Sequence, residues 1–263
     1  MSDYKKPQVW EWDSPNDEVA GNKPTAGARF EQDLPRGQEP FQLYSLGTPN
    51  GIKIPIMLEE LKELGLAGLG YDQYKIDIVK GQQFASGFVA LNPNSKIPVL
   101  LDQSGPEEVA VFESANILLY LAEKFGHFLP QDLQGRTETL NWLFWQTGAA
   151  PFLGGGFGHF FHYAPSEQKY PIDRYTMEVK RQLDLLNQLL SRRPYIAGQD
   201  YTIADIAIWS WYGRLLEDKI YPGAPRFLKA ESYPHLLAWA RKIGQRPAVL
   251  RGLAAPYKEM GEN

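Results

Sequence analysis

Strand-like alternation of apolar and polar residues stops in this chain at about Pro130 and does not return, and this change of period limits the fold more than any other feature. Upstream, Phe41 to Leu46 alternates as a strand, Ile54, Leu58, Leu61 and Leu64 recur at helical spacing, and Tyr74 to Ile78 alternates again. Ile97 to Leu101 and Val109 to Phe112 predict two more strands, and Ile117, Leu118, Leu121 and Phe125 share one face of a helix. The order is βαβ, a connection, then ββα. Beyond the turn-rich Pro130 to Gly135, helices are predicted over 136–150, 174–190, 202–217 and 234–244, separated by breaks that carry Gly or Pro. The expected fold class is α/β plus all-α, with an α/β domain over 41–129 and an all-helical domain over 136–263. Residues 1–40 are rich in Pro, Asp, Gly and Lys, carry neither period, and predict an irregular arm. Trp10 and Trp12 argue against a wholly solvated tail.

Two local signals refine the helices. Thr202-Ile203-Ala204-Asp205 has the form of a capping box, with Tyr201 and Ile206 placed for a hydrophobic staple. Pro55 lies about one turn into the first predicted helix, where a proline removes a backbone hydrogen bond, so that helix is expected to kink or to begin late.

Composition decides which chemistry is open. With 43% hydrophobic and 22% charged residues, 263 residues can bury a substantial core. A net charge of −4 gives no electrostatic pull toward nucleic acid or an anionic membrane, and neither is expected as a partner. No apolar run reaches the ~18 to 20 residues that span a bilayer, and the start, Met1 to Lys6, lacks the apolar stretch of a secretory signal, so the expected location is cytoplasmic. There is no cysteine, which removes disulfide staples, zinc-thiolate sites and any cysteine nucleophile. A Gly-x-Ser-x-Gly elbow is also lacking. His159 and His162 stand three apart without an HExxH pattern, and no metal is expected. Gly154-Gly155-Gly156 lacks the Lys-Ser/Thr ending of a phosphate loop. If the chain does thiol chemistry, a ligand must bring the thiol.

Four segments, in order over about two hundred residues, bring in a family. They are Thr48-Pro49-Asn50-Gly51, Asn92-Pro93-Asn94-Ser95-Lys96-Ile97-Pro98-Val99-Leu100, Phe112-Glu113-Ser114, and Tyr201-Thr202-Ile203-Ala204-Asp205. Together they resemble the glutathione transferase superfamily. The stretches Gly81 to Phe88 and Asn141 to Tyr163, with the unusual arm, narrow the resemblance to the bacterial nu-class, related to the yeast nitrogen-regulator prion protein. The resemblance implies a thioredoxin-like N-terminal domain, an all-helical glutathione transferase C-terminal domain, a homodimer, and an arm that packs near the active site. It also implies glutathione-dependent disulfide-bond reductase activity, with weak transferase or peroxidase activity beside it. Glutathione would be the co-substrate, one or two molecules per site, and a small disulfide the second substrate.

Residue roles follow from the same resemblance. Glu113 and Ser114 would bind the γ-glutamyl end, at a helix start where a serine cap is the plainer reading. Ile97, before a proline that is cis in thioredoxin-like folds, would pair its backbone with the cysteinyl backbone, and Lys96 would meet the glycyl carboxylate. Thr48, Pro49 and Asn50 would lie beside the sulfur, where hydrogen bonds and a helix N-terminus lower a thiol pKa; a simple turn and cap is the alternative there. Asn22 from the arm, Gln83 after the second strand and Arg174 at the start of a C-terminal helix complete the implied glutathione contacts. Phe157, Phe160, Phe161 and Tyr163 are expected to wall the second-substrate pocket. The rival functions are conjugation of glutathione to electrophiles and glutathione binding for regulation without turnover.

Overall fold

The computed structural model describes residues 5–12 and 23–260. Its N-terminal unit is built on a four-stranded mixed sheet in the order β2-β1-β3-β4, made of β1 (Phe41–Ser45), β2 (Tyr71–Lys75), β3 (Val99–Asp102) and β4 (Val109–Phe112). β1 pairs in parallel with β2 through the crossover helix α1 (Lys53–Glu63), and antiparallel with β3, which pairs antiparallel with β4. Every residue of β1 is buried, as a central strand covered on both faces requires. Phe41, Leu43 and Leu100 turn toward α1 and α3 (Ser114–Phe125). Tyr44, Val99 and Leu101 turn the other way and pack with Phe88 of α2 (Ser86–Leu91).

The remaining chain is helical: α4 (Leu133–Pro151), α5 (Lys169–Leu190), α6 (Ile203–Ile208), α7 (Arg214–Leu216), α8 (Ala224–Phe227), α9 (Pro234–Gly244) and α10 (Pro247–Ala254). Two stretches widen to π-helical winding, Phe152–Tyr163 continuing α4 and Trp209–Gly213 joining α6 to α7. The thioredoxin-like unit followed by an all-helical unit is the fold class expected from the sequence. One apolar core runs through both, from Phe41 and Leu118 to Leu183, Ile206 and Val249.

Several element bounds differ from expectation. β2 begins at Tyr71, three residues early, because Asp72 and Gln73 are buried inside the strand despite being polar. The Asp72 carboxylate accepts from the Glu39 amide, the Gln42 side chain and Lys258 Nζ. β3 begins at Val99, after Ile97 and Pro98. α5 begins at Lys169, so Arg174 lies a turn inside it instead of opening it. Pro55 neither delays nor interrupts α1: it occupies the third helical position, within the first turn, where backbone N–H groups lack a helical acceptor in any case. The capping box is present, with Thr202 Oγ1 accepting from the Ala204 amide and the Asp205 carboxylate accepting from the Thr202 amide.

Residues 23–40 lie against the sheet unit. Phe30 forms a bridge with Ala85, the Ser86 and Gly87 amides donate to Phe30 and Gln32 carbonyls, and the Tyr44 hydroxyl donates to the Pro35 carbonyl. Trp10 and Trp12 are exposed.

Candidate active site

The turn from β1 to α1 sets the site. Gly51 N–H donates to Thr48 Oγ1 and Ile52 N–H to the Thr48 carbonyl, which ties Thr48-Pro49-Asn50-Gly51 into a tight bend. Position 51 admits nothing larger than glycine without movement, since a Cβ there would lie 1.8 Å from the Leu46 carbonyl oxygen. The bend delivers Asn50 to a cleft of about 570 Å³ between the sheet unit and the helical unit, a volume suited to a peptide-sized ligand.

Across the cleft α3 starts abruptly. Glu113, its N-cap residue, has φ 66°, a left-handed conformation that costs an L-residue on the order of 1 kcal/mol or more and that persists because the strand and helix on either side fix it. Glu113 and Ser114 both face the cleft. Between the two turns lies Lys53, the first residue of α1. Its Nζ is buried and donates to Ser114 Oγ at 3.1 Å and to Gln146 Oε1 at 2.9 Å, from α4. Burial pushes the Lys53 ammonium down to about 7, against the field of Glu113, which favours the charge.

A chain of hydrogen bonds then crosses the site. Ser114 Oγ donates to Asn50 Oδ1 at 3.4 Å, and the indole Nε1 of Trp211, from the π-helical stretch after α6, donates to the same oxygen at 2.8 Å. Two donors on Oδ1 fix which way the amide faces. The Asn50 Nδ2 group is left without an acceptor among the described residues, on the wall of the cleft. The site therefore offers, near the N-terminus of α1, an oriented amide donor with a serine hydroxyl, a buried ammonium and a carboxylate behind it.

Of the residues expected from sequence, Asn50, Lys96, Glu113 and Ser114 come together on this wall. Thr48 and Pro49 form the bend beneath Asn50. Ile97 precedes the cis Ile97-Pro98 bond and stands outside the β3 ladder, which begins at Val99. Gln83 is buried, its Nε2 donates to the carbonyl of Ile78, a wall residue, and its Oε1 has no partner among the described residues. Arg174 is exposed on α5 near Glu178. Asn22 lies outside the described residues. Phe157 is buried in the core, stacked on Phe161, which packs against Phe227; Phe160 stacks on Tyr175, and Tyr163 is exposed against Tyr221. The cleft wall on that side is made by Gly154, Gly155, Trp211 and Tyr221. The glycines let rings lie on the helix backbone: a Cβ at Gly154 would stand 2.6 Å from the Trp211 ring, and one at Gly158 2.1 Å from Tyr221. Sequence reasoning missed Lys53, Gln146, Trp211 and Tyr221. Among the described residues no group of three His, Asp or Glu side chains could hold a metal ion, and no helix is long and apolar enough to cross a membrane.

Comparison with known proteins fits this geometry. Residues 39–123 match the family model described as the glutathione S-transferase N-terminal domain, and residues 170–242 the one described as the C-terminal domain. The disulfide-bond oxidoreductase YghU of Escherichia coli is 57% identical over 251 residues, 95% of this chain and 87% of that protein. The crystal structure of glutathione transferase YghU from Streptococcus pneumoniae, complexed with glutathione, superposes with a TM-score of 0.96 at 64% identity, covering 98% of this chain and 99% of that one. A glutathione transferase from Burkholderia graminis, with two glutathione molecules per subunit, superposes with a TM-score of 0.75 at 40% identity, covering 83% of this chain and 89% of that one. With both domains matched in order and relatives this similar along nearly the whole length, the chain belongs to the glutathione S-transferase family.

Proposed function

We propose that the protein is a glutathione-dependent disulfide-bond reductase in which a bound glutathione thiolate is the nucleophile. The observation that carries this reading is the Asn50 amide, pinned through Oδ1 by Trp211 and Ser114 so that its N–H donors face the cleft of a chain that has no thiol of its own. Similarity to the E. coli disulfide-bond oxidoreductase and to glutathione-bound structures supports the substrate class. Glu113 and Ser114 take the γ-glutamyl end, Ile97 pairs with the cysteinyl backbone, Lys96 meets the glycyl carboxylate, and Asn22, Gln83 and Arg174 close over the tripeptide. Asn50, with Thr48, donates to the sulfur and holds it as thiolate beside the positive end of α1.

The thiolate attacks one sulfur of a small disulfide, forming a mixed disulfide and expelling the other sulfur as a thiolate, which takes up a proton from water. A second glutathione, after losing its proton, attacks the glutathione sulfur of the mixed disulfide and expels the second thiolate. Two glutathiones are oxidised to one glutathione disulfide and the substrate disulfide is reduced to two thiols. The cleft volume leaves room for the second tripeptide, and the two-glutathione complex of the Burkholderia relative supports that stoichiometry. The working unit on this reading is a cytoplasmic homodimer.

Removing one hydrogen bond to a charged sulfur costs about 1.5 to 3 kcal/mol, so Asn50→Ala is expected to lower kcat/KM for hydroxyethyl disulfide roughly ten- to a hundredfold. A loss below twofold, or wild-type turnover of an aryl halide exceeding that of the disulfide, rejects the assignment.

A further inference from the structure

Lys53 is the one charged group of the site that the reaction above does not use. Its Nζ is walled in by protein, faces the cleft beside Ser114, and among the described residues forms no ion pair with a carboxylate. An ammonium has three donors, and Ser114 Oγ and Gln146 Oε1, both neutral, accept two. A buried cation with only neutral partners is costly, and the cost falls when an anion arrives. The ligand end that Ser114 receives carries an α-carboxylate. Resting on the reading that glutathione occupies this cleft, we infer that Lys53 is a positioning residue whose ammonium is the counter-ion of the γ-glutamyl α-carboxylate, and that it takes up a proton as that carboxylate binds.

The surroundings leave Lys53 free to do this. Glu113, at the start of α3, is the charged group whose field reaches it. On the C-terminal helices packed against α1, Arg246 is held by Glu60, Arg251 by Glu59 and Glu63, and Asp205 by Ile196, Thr202 and Trp239. α4 contributes Gln146, which does not titrate. Lys96 and Tyr221 are the other ionisable groups on the wall. Burial lowers the Lys53 value to about 7; a carboxylate beside it raises that value, so binding draws in a proton at any pH between the two.

The test is titration calorimetry of the full chain with S-methylglutathione, whose sulfur cannot ionise, in buffers of different ionisation enthalpy. Proton uptake that grows from pH 6 to pH 8 toward about one proton per site is expected, with affinity falling severalfold over the same range. The analogue in which 4-aminobutyrate replaces the γ-glutamyl residue, and so lacks the α-carboxylate, should bind at least tenfold more weakly and without the proton. Lys53→Met, checked by circular dichroism for folding, should bind S-methylglutathione with no uptake and with affinity flat over the same range. Equal uptake by the Lys53→Met variant, or by wild type with the analogue, overturns the inference while leaving the proposed function intact. No heat from S-methylglutathione at millimolar concentration overturns both.

Discussion

At the scale of single residues, the orientation of one side chain matters more than its identity. An asparagine amide presents an acceptor or a donor to the sulfur depending on a flip of its plane, and only the donor stabilises a thiolate. The flip here is decided from far along the chain: Trp211 donates to Asn50 Oδ1 across 161 positions. Trp211→Phe keeps an aromatic ring, smaller than the indole, and deletes that donor, a loss of about 0.5 to 1.5 kcal/mol for the hydrogen bond. The expected result is a three- to tenfold fall in kcat/KM and a rise of about half a unit in the pKa of the bound thiol, followed by thiolate absorbance in the ultraviolet. In an Asn50→Ala background the same substitution should change neither, because the partner it acts through is gone. Thr48, Asn50, Glu113 and Ser114 leave local signatures of a turn and a helix start in the sequence, and it is the family resemblance that marks them as site residues. Lys53 is hidden for the opposite reason: a lysine among Ile52, Ile54 and Ile56 reads as a solvated head on an amphipathic helix, and only the fold shows that Ser114 and Gln146 close over it.

Among the elements, periodicity located the four strands and the longer helices, gave no sign of the short α2, α8 and α10, and misplaced bounds where polar residues are buried with partners or where the helix changes its winding. β2 was displaced because Asp72 and Gln73 look like loop residues until Gln42 and Lys258 are brought alongside them. The stretch from Phe152 to Tyr163, with four glycines and no helical period in its sequence, is a continuous wide helix that lines the cleft through Gly154 and Gly155 and is closed by an Ala164 N–H bond to the His159 carbonyl five residues back. Its glycines form a bed for aromatic rings, and at Gly154 the ring is that of Trp211, from the second π-helical stretch. The two irregular windings therefore meet at the residue that orients Asn50. Gly154→Ala would push a methyl group against that ring, and its expected effect on turnover is that of Trp211→Phe, three- to tenfold, with a stability loss of about 1 to 3 kcal/mol from overpacking. Joining the two substitutions should cost turnover little more than the worse one alone, a non-additivity read from the four kcat/KM values of the cycle.

Over the whole molecule, the last described residues return to the sheet unit. After α10 the segment through Lys258 returns to the sheet, the Lys258 N–H donating to the Gln73 carbonyl and the Lys75 N–H to the Lys258 carbonyl, so the edge of β2 is capped by one bridge of added strand. Lys258 also pairs with the Asp72 carboxylate, which the ion pair and the Gln42 and Glu39 bonds hold below the usual carboxylate range against the opposing pull of burial. On α1, Glu60 grips the Arg246 guanidinium at 2.6 and 2.7 Å, and one apolar core runs through both units. Sheet unit and helical unit are thus stitched into one structure, and no residue of the cleft wall lies beyond Tyr221. A chain truncated after Ala254 separates stability from binding. It loses the two backbone hydrogen bonds of Lys258, the Gln73 Nε2 bond to the Ala255 carbonyl, the partly exposed Lys258–Asp72 and Lys75–Glu259 ion pairs and the packing of Met260, about 3 to 5 kcal/mol in all, which lowers Tm by roughly 6 to 15 °C. Its β2 edge is left open to pair with other chains, so light scattering should rise earlier on heating. Glutathione affinity measured well below that Tm should stay within twofold of wild type, because the groups that hold the tripeptide are untouched.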